Sequence, residues 1–171
     1  MGKTDIAVLD GGIRKWQAEG REIEDMPPIV RDRHMTAQRQ AHLVKDVTQV
    51  AAAAKLGDWQ IVDARSAGRF RGEEAEPREG LRSGRIPGSK NVHYATLLTA
   101  DGTIKRGDDL RAAFEAGGVD LNKRIITTCG SGVTAAILSL GLELLGHRDW
   151  ALYDGSWSEW GLFDQLKVEV G

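Results

Sequence analysis

The sequence predicts an α/β domain: a mainly parallel central sheet of about five strands with helices on both faces. Three observations carry this. Short β-branched apolar runs alternate along the chain with stretches of helical periodicity, the pattern of strand–helix–strand units. One unit is unusually explicit, an apolar strand, a Gly-rich turn and a long apolar helix in R-I-I-T-T-C-G-S-G-V-T-A-A-I-L. The 171 residues, 41% hydrophobic and 28% charged, suit one soluble domain plus a shorter extra segment.

In chain order, residues 6–9 (I-A-V-L) read as a strand running into Asp10-Gly11 and a helix that carries Trp16. Pro27-Pro28 and mixed charge make residues 20–39 a linker. A strand is expected at 41–44. Asp46, with Gln49 three residues on, then caps a helix over 47–55 that Gly57 ends. Residues 60–62 form the next strand. The segment 66–84 has no usable periodicity and reads as a long functional loop. A strand at 91–94, a helix over 108–116 closed by Gly117-Gly118, and a strand at 124–128 follow. Val133, Ala136, Ile137, Leu140 and Leu144 recur at helical spacing and predict one apolar helix face. The last strand, 150–153, runs into Asp154-Gly155 and a helix with Trp160.

That ending repeats the beginning. V-L-D-G-G-I-R-K-W and L-Y-D-G-S-W-S-E-W share strand, Asp-Gly turn and tryptophan at the same spacing, about one domain length apart. The second copy closes a domain, so residues 1–19 are expected to be the end of a preceding one. Residues 20–39 would link it to a catalytic domain over 40–171.

Composition excludes several classes. A net charge of -2 offers no basic surplus for nucleic acid. No run of eighteen apolar residues is present, so no membrane span is expected. A single cysteine forms no internal disulfide and favours a reducing, cytoplasmic setting. No Cys/His cluster has zinc spacing and no acidic run has calcium-loop spacing, so neither a metal nor another cofactor is expected.

The candidate chemistry sits at Cys129. Gly130 and Gly132 permit left-handed backbone, letting the N–H groups of the loop through Val133 and Thr134 turn inward around one point. The following helix N-terminus adds its own unpaired N–H groups and partial positive charge. Such a cradle stabilises a thiolate: a free thiol titrates near about 8.5, and sites of this kind bring it to about 3.5–7.5. A cysteine phosphatase would need an arginine six residues after the cysteine to grip phosphoryl oxygens. Here that residue is Ala135, and Thr128 precedes the cysteine, so a smaller anion such as a sulfane sulfur is the better fit.

C-G-S-G-V-T-A, together with V-D-A-R-S-A-G-R-F-R-G-E-E-A-E-P-R-E-G-L-R-S-G-R-I-P-G, resembles the tandem-domain rhodaneses, and within them the 3-mercaptopyruvate sulfurtransferases. The resemblance implies a rhodanese-like three-layer fold and a persulfide-forming nucleophile at Cys129. It implies that Ser131 is a polar partner in a catalytic serine, histidine and aspartate set. Arg69 and Arg78 match the arginines that hold the donor's carboxylate and carbonyl. Asp63 matches a carboxylate that braces the cysteine loop through backbone N–H groups. The implied partners are a small-molecule sulfur donor, 3-mercaptopyruvate or alternatively thiosulfate, and an acceptor that is cyanide or a thiol such as thioredoxin. The chain departs from the pattern at Arg85, where the family has histidine. The set's histidine and aspartate are expected from the preceding domain, so His34, His42, His93 and His147 are expected to be structural or solvated. A persulfide carrier or an inactive binding remnant is the non-enzymatic alternative.

Overall fold

Five short runs pair into one parallel sheet: β1 (Val44–Lys45), β2 (Gln60–Asp63), β3 (Lys90–Asn91), β4 (Ile125–Thr128) and β5 (Trp150–Tyr153), in the order β1-β5-β4-β2-β3. They belong to a computed structural model that describes every residue except Met1, Thr4, Val30, Arg33 and Met35. The helices are α1 (Gly12–Ala18), α2 (Val47–Leu56), α3 (Ala67–Arg71), α4 (Gly107–Ala116), α5 (Ala135–Leu144) and α6 (Ser156–Trp160).

β4 lies at the centre, and all four of its residues are buried. A strand covered on both faces needs apolar or internally bonded residues throughout, which is why I-I-T-T shows no alternation. Its side chains still alternate between faces. Ile125 joins Val62, Leu110, Phe114, Leu138 and Leu142 in the core beneath α4 and α5. Ile126 joins Ile61, Val50, Tyr153, Trp157 and Trp160 in the core beneath α2 and α6. This is the expected three-layer α/β arrangement. No described helix is long and apolar enough to cross a membrane.

α2 carries the predicted capping box: the Asp46 carboxylate accepts from the Gln49 N–H at 2.9 Å, and the Gln49 side chain accepts from the Asp46 N–H at 3.1 Å. Gly57 ends it in the left-handed region at φ 69.

Several elements differ from expectation. Residues 6–9 are not a strand. They find no ladder partner among the described residues, and Ile6 and Val8 are 75% and 71% exposed. At 41–44, residues Ala41–Leu43 form a 3-10 turn, and only Val44 and Lys45 reach β5 to pair with Leu152 and Tyr153. At 91–94 the pairing moves back to Lys90 and Asn91, and Tyr94–Leu97 becomes a 3-10 turn. The segment 66–84 holds α3, capped by Ser66 and closed by Gly72 at φ 79; five helical residues are too few to show a period. The helix after the cysteine starts at Ala135 because Gly132 turns the chain at φ 84, so Val133 stays in the loop, 72% exposed. Its buried face is Ala135, Leu138 and Leu142 rather than Ala136, Ile137 and Leu140. A-A-I-L-S-L-G-L-E-L is apolar almost all round, and periodicity does not choose a face for such a helix.

The opening segment is anchored. The Asp10 carboxylate accepts from the Ile104 N–H at 2.8 Å and from Arg106 at 2.9 Å, while Lys15 pairs with Asp101 at 2.9 Å. These contacts hold Asp10 below the usual carboxylate range, with the Ile104 N–H as the main cause. The described residues between 21 and 40 form neither helix nor strand. Parts of the expected remnant (Met1, Thr4) and of the expected linker (Val30, Arg33, Met35) lie outside the described residues.

Candidate active site

β2 and β4 are neighbours, yet their crossovers leave in opposite directions, one to β3 and the other to β5. Such a switch point opens a crevice beyond the carboxyl ends of the strands. Cys129 is the first residue after β4 and lies at the floor of that crevice, 2% exposed. Burial pushes its thiol up. The Thr134 hydroxyl and the backbone N–H groups of Ser131, Ala135 and Thr134 outweigh burial and bring it below the ordinary thiol range.

The loop is held from below by the start of α6. The Trp157 and Ser158 N–H groups donate to the carbonyls of Cys129 and Gly130, each at 2.9 Å. Ser156, fully buried and with a positive φ of 51, accepts from the Cys129 N–H at 3.2 Å and donates to the Tyr153 carbonyl at 2.8 Å. Its hydroxyl lies 4.0 Å from the Cys129 sulfur. A side chain at Gly132 would place Cβ 2.8 Å from the Asp154 carboxylate and 2.9 Å from the Asp154 carbonyl, so only glycine fits.

The opposite wall carries charge. Arg69, on α3, binds Glu76 through Nη2 at 2.5 Å and Nε at 3.2 Å. Its Nη2 lies 2.9 Å from where a Cβ on Gly130 would sit, so the guanidinium faces the cysteine loop. Arg78 is exposed at the mouth and has no partner among the described residues. Between these arginines and the 130–134 loop, with Cys129 at the floor, lies a cleft of about 200 Å³. That is below the size of pockets for drug-sized ligands, about 300–1,000 Å³, and suits a donor of a few heavy atoms.

Residues 46–162 match the rhodanese-like domain. The chain belongs to the rhodanese family. It is 42% identical over 169 residues to 3-mercaptopyruvate sulfurtransferase of Escherichia coli K12, covering 99% of this chain and 60% of that protein. It is 41% identical over 161 residues to thiosulfate sulfurtransferase of Bos taurus, covering 94% of this chain and 54% of that protein. The crystal structure of SseA from Escherichia coli, described as having the rhodanese fold, superposes with a TM-score of 0.72 at 40% identity, over 84% of this chain and 53% of that one. The chain thus spans about 60% or less of the length of these relatives.

Within this rhodanese domain the structure brings Cys129, Gly130, Ser131, Val133, Thr134, Arg69 and Arg78 around one cleft, while Gly132 lies against Asp154. The Ser131 backbone N–H is one of the groups that lower the Cys129 thiol, while its hydroxyl has no partner among the described residues. Asp63 is placed differently from expectation. Its carboxylate accepts from the Arg65 N–H at 2.9 Å and from the Arg65 guanidinium at 2.7 and 2.9 Å, not from the cysteine loop, because the chain turns back on itself directly after β2. None of the four histidines lines the cleft. His147 is satisfied by the carbonyls of Leu121 and Asp149, and His93 packs edge-on to Tyr94.

Three residues of the rhodanese site escaped the sequence reading. Arg65 is buried among Asp63, Glu76 and the Gly84 carbonyl, and sits 4.3 Å over the Trp157 ring. Its signal was an arginine two residues after an aspartate at the end of a buried strand. Glu76 links Arg65 to Arg69. Ser156 follows the Asp154-Gly155 turn, where the repeat marks only the turn and the tryptophan.

Proposed function

We propose that this rhodanese domain is a sulfurtransferase that moves sulfur from 3-mercaptopyruvate, through a persulfide on Cys129, to cyanide or a thiol acceptor such as thioredoxin. The observation that supports this most is Cys129 at the floor of a small cleft that Arg69 and Arg78 also line, with the backbone N–H groups of Ser131, Thr134 and Ala135 favouring its thiolate.

The Cys129 thiolate attacks the donor's thiol sulfur, forming an S–S bond. The donor's C–S bond breaks, and its electron pair leaves as the enolate of pyruvate, which takes a proton from water. Arg69 and Arg78 receive the planar carboxylate and the carbonyl oxygen on which the enolate charge gathers. Guanidinium suits this role better than ammonium because its N–H groups match a carboxylate two at a time. The N–H groups around Cys129 then hold the persulfide anion as they held the thiolate. An acceptor thiolate or cyanide attacks the outer sulfur and regenerates Cys129.

A second reading changes only the donor. The thiosulfate sulfurtransferase relative is nearly as identical as the mercaptopyruvate one, and thiosulfate is also a small anion. The purified protein is expected to gain one sulfur atom on Cys129 by mass spectrometry, with 3-mercaptopyruvate more effective than thiosulfate at matched concentration. Cys129→Ser is expected to remove both the mass gain and turnover. An unchanged mass with both donors would sink the sulfurtransferase reading.

A further inference from the structure

Glu76 stands out as a carboxylate whose side chain is 1% exposed although it sits beside an open cleft. It is enclosed by two guanidinium groups. One oxygen takes Arg65 Nη1 at 2.7 Å and Arg69 Nε at 3.2 Å, and the other takes Arg69 Nη2 at 2.5 Å. Arg65 is itself immobile, fixed by Asp63, by the Gly84 carbonyl and by the Trp157 ring. A continuous set of charge-assisted bonds therefore runs from the end of β2 through Arg65 and Glu76 to Arg69, and ends over Gly130. Two arginines and two carboxylates also cancel in charge. A buried ion pair is weak evidence for stability, and here the pairs hold the Arg69 guanidinium in one geometry.

We infer that Glu76 is a positioning residue: it holds the Arg69 guanidinium against the Cys129 loop and neutralises it, leaving Arg78 as the one unpaired guanidinium of the cleft among the described residues. The inference rests on the reading of Cys129 as the nucleophile. It divides the work of the two arginines. Arg69 is the fixed donor for the carbonyl oxygen, held over Gly130 and oriented before any ligand arrives. Arg78, free at the mouth, is the group that captures the donor's carboxylate. Gly130 belongs to the same arrangement, since a side chain there would push Arg69 away.

The charged groups around the sulfur are Arg69 and Glu76 on the wall, Arg78 at the mouth, Asp63 and Arg65 behind Glu76, and Asp154 beneath Gly132. Glu76→Gln keeps the shape and removes one negative charge, leaving Arg69 uncompensated near the thiolate. The test is the rate of Cys129 alkylation by iodoacetamide across pH. It needs no sulfur donor and so stays readable whether or not sulfur transfer is found. Glu76→Gln is expected to lower the midpoint by about one pH unit, which is roughly tenfold faster alkylation below the midpoint. Arg69→Met is expected to raise the midpoint. A cooperatively melting Glu76→Gln protein with an unchanged midpoint overturns the inference. Where Glu76→Gln does not fold, Arg69→Met decides: an unchanged midpoint there shows that Arg69 is not set against Cys129 and overturns it equally. In the donor assay, the kcat/KM loss of the double variant is expected to match that of Arg69→Met alone, whereas losses that multiply would mark Glu76 as a fold residue only.

Discussion

Gly132→Ala tests how tightly the cysteine loop is built. At φ 84 the position is left-handed, which costs an L-residue about 1–2 kcal/mol. The added Cβ would also lie 2.8 Å from the Asp154 carboxylate and 2.9 Å from the Asp154 carbonyl; the second is backbone and cannot swing aside. Relieving such overpacking costs about 1–3 kcal/mol more. The sum, about 2–5 kcal/mol, is a large share of a stability of about 5–15 kcal/mol. For a chain of this length it converts to a fall in Tm of about 4–20 °C. Thermal melting followed by circular dichroism measures it, with Gly118→Ala as the control. Gly118 has a similar φ of 74 but nothing within 4 Å of its Cβ position, so it reports the backbone cost alone. If the two variants melt together, the close approach of Asp154 is not what keeps residue 132 a glycine, and the reasoning is refuted.

The Cys129 thiol ionises below its ordinary range in the fold, so the folded state holds its proton less tightly than the unfolded chain. The stability this contributes is fully present above the unfolded thiol pKa and is lost as pH falls through the folded value. The Tm difference between wild type and Cys129→Ser is therefore expected to grow as pH rises towards the ordinary thiol range, and a difference that shrinks would contradict the N–H cradle. Asp46→Ala removes the carboxylate that caps α2 and is expected to cost about 1 kcal/mol by chemical denaturation, with the cleft and Cys129 alkylation unaffected.

What the sequence made legible was local. The apolar run ending at Cys129, the paired glycines after it, and the Asp46 and Gln49 pair act within a few residues of themselves, and their patterns survive in one dimension. The arrangement around the sulfur is not local. Ser156 reaches the Cys129 N–H from 27 residues away, and Arg65 is satisfied by the Gly84 carbonyl 19 residues on. Nothing in a single-residue pattern announces such partners. Asp63 shows the opposite error: an aspartate at a strand end next to a reactive loop invites a long-range role, but an arginine two residues away takes its carboxylate first. The edge strands β1 and β3 have two residues each, too short to carry an alternation, so their boundaries move by up to three residues, against one residue at most for β2, β4 and β5.

The anchoring of Asp10 and Lys15 on the loop that holds Asp101, Ile104 and Arg106 also changes the meaning of the irregular residues that follow. The described residues between 20 and 39 are not a free tail but part of a span tethered at both ends, by α1 on one side and β1 on the other. Closing such a span costs entropy that grows only with the logarithm of its length, about 0.6 kcal/mol for a doubling. Added length there would leave the cleft in place, whereas one residue inserted between Cys129 and Thr134 would carry the N–H groups off the sulfur. Two irregular stretches of one chain thus tolerate change in opposite degrees, and the difference lies in what each of them holds.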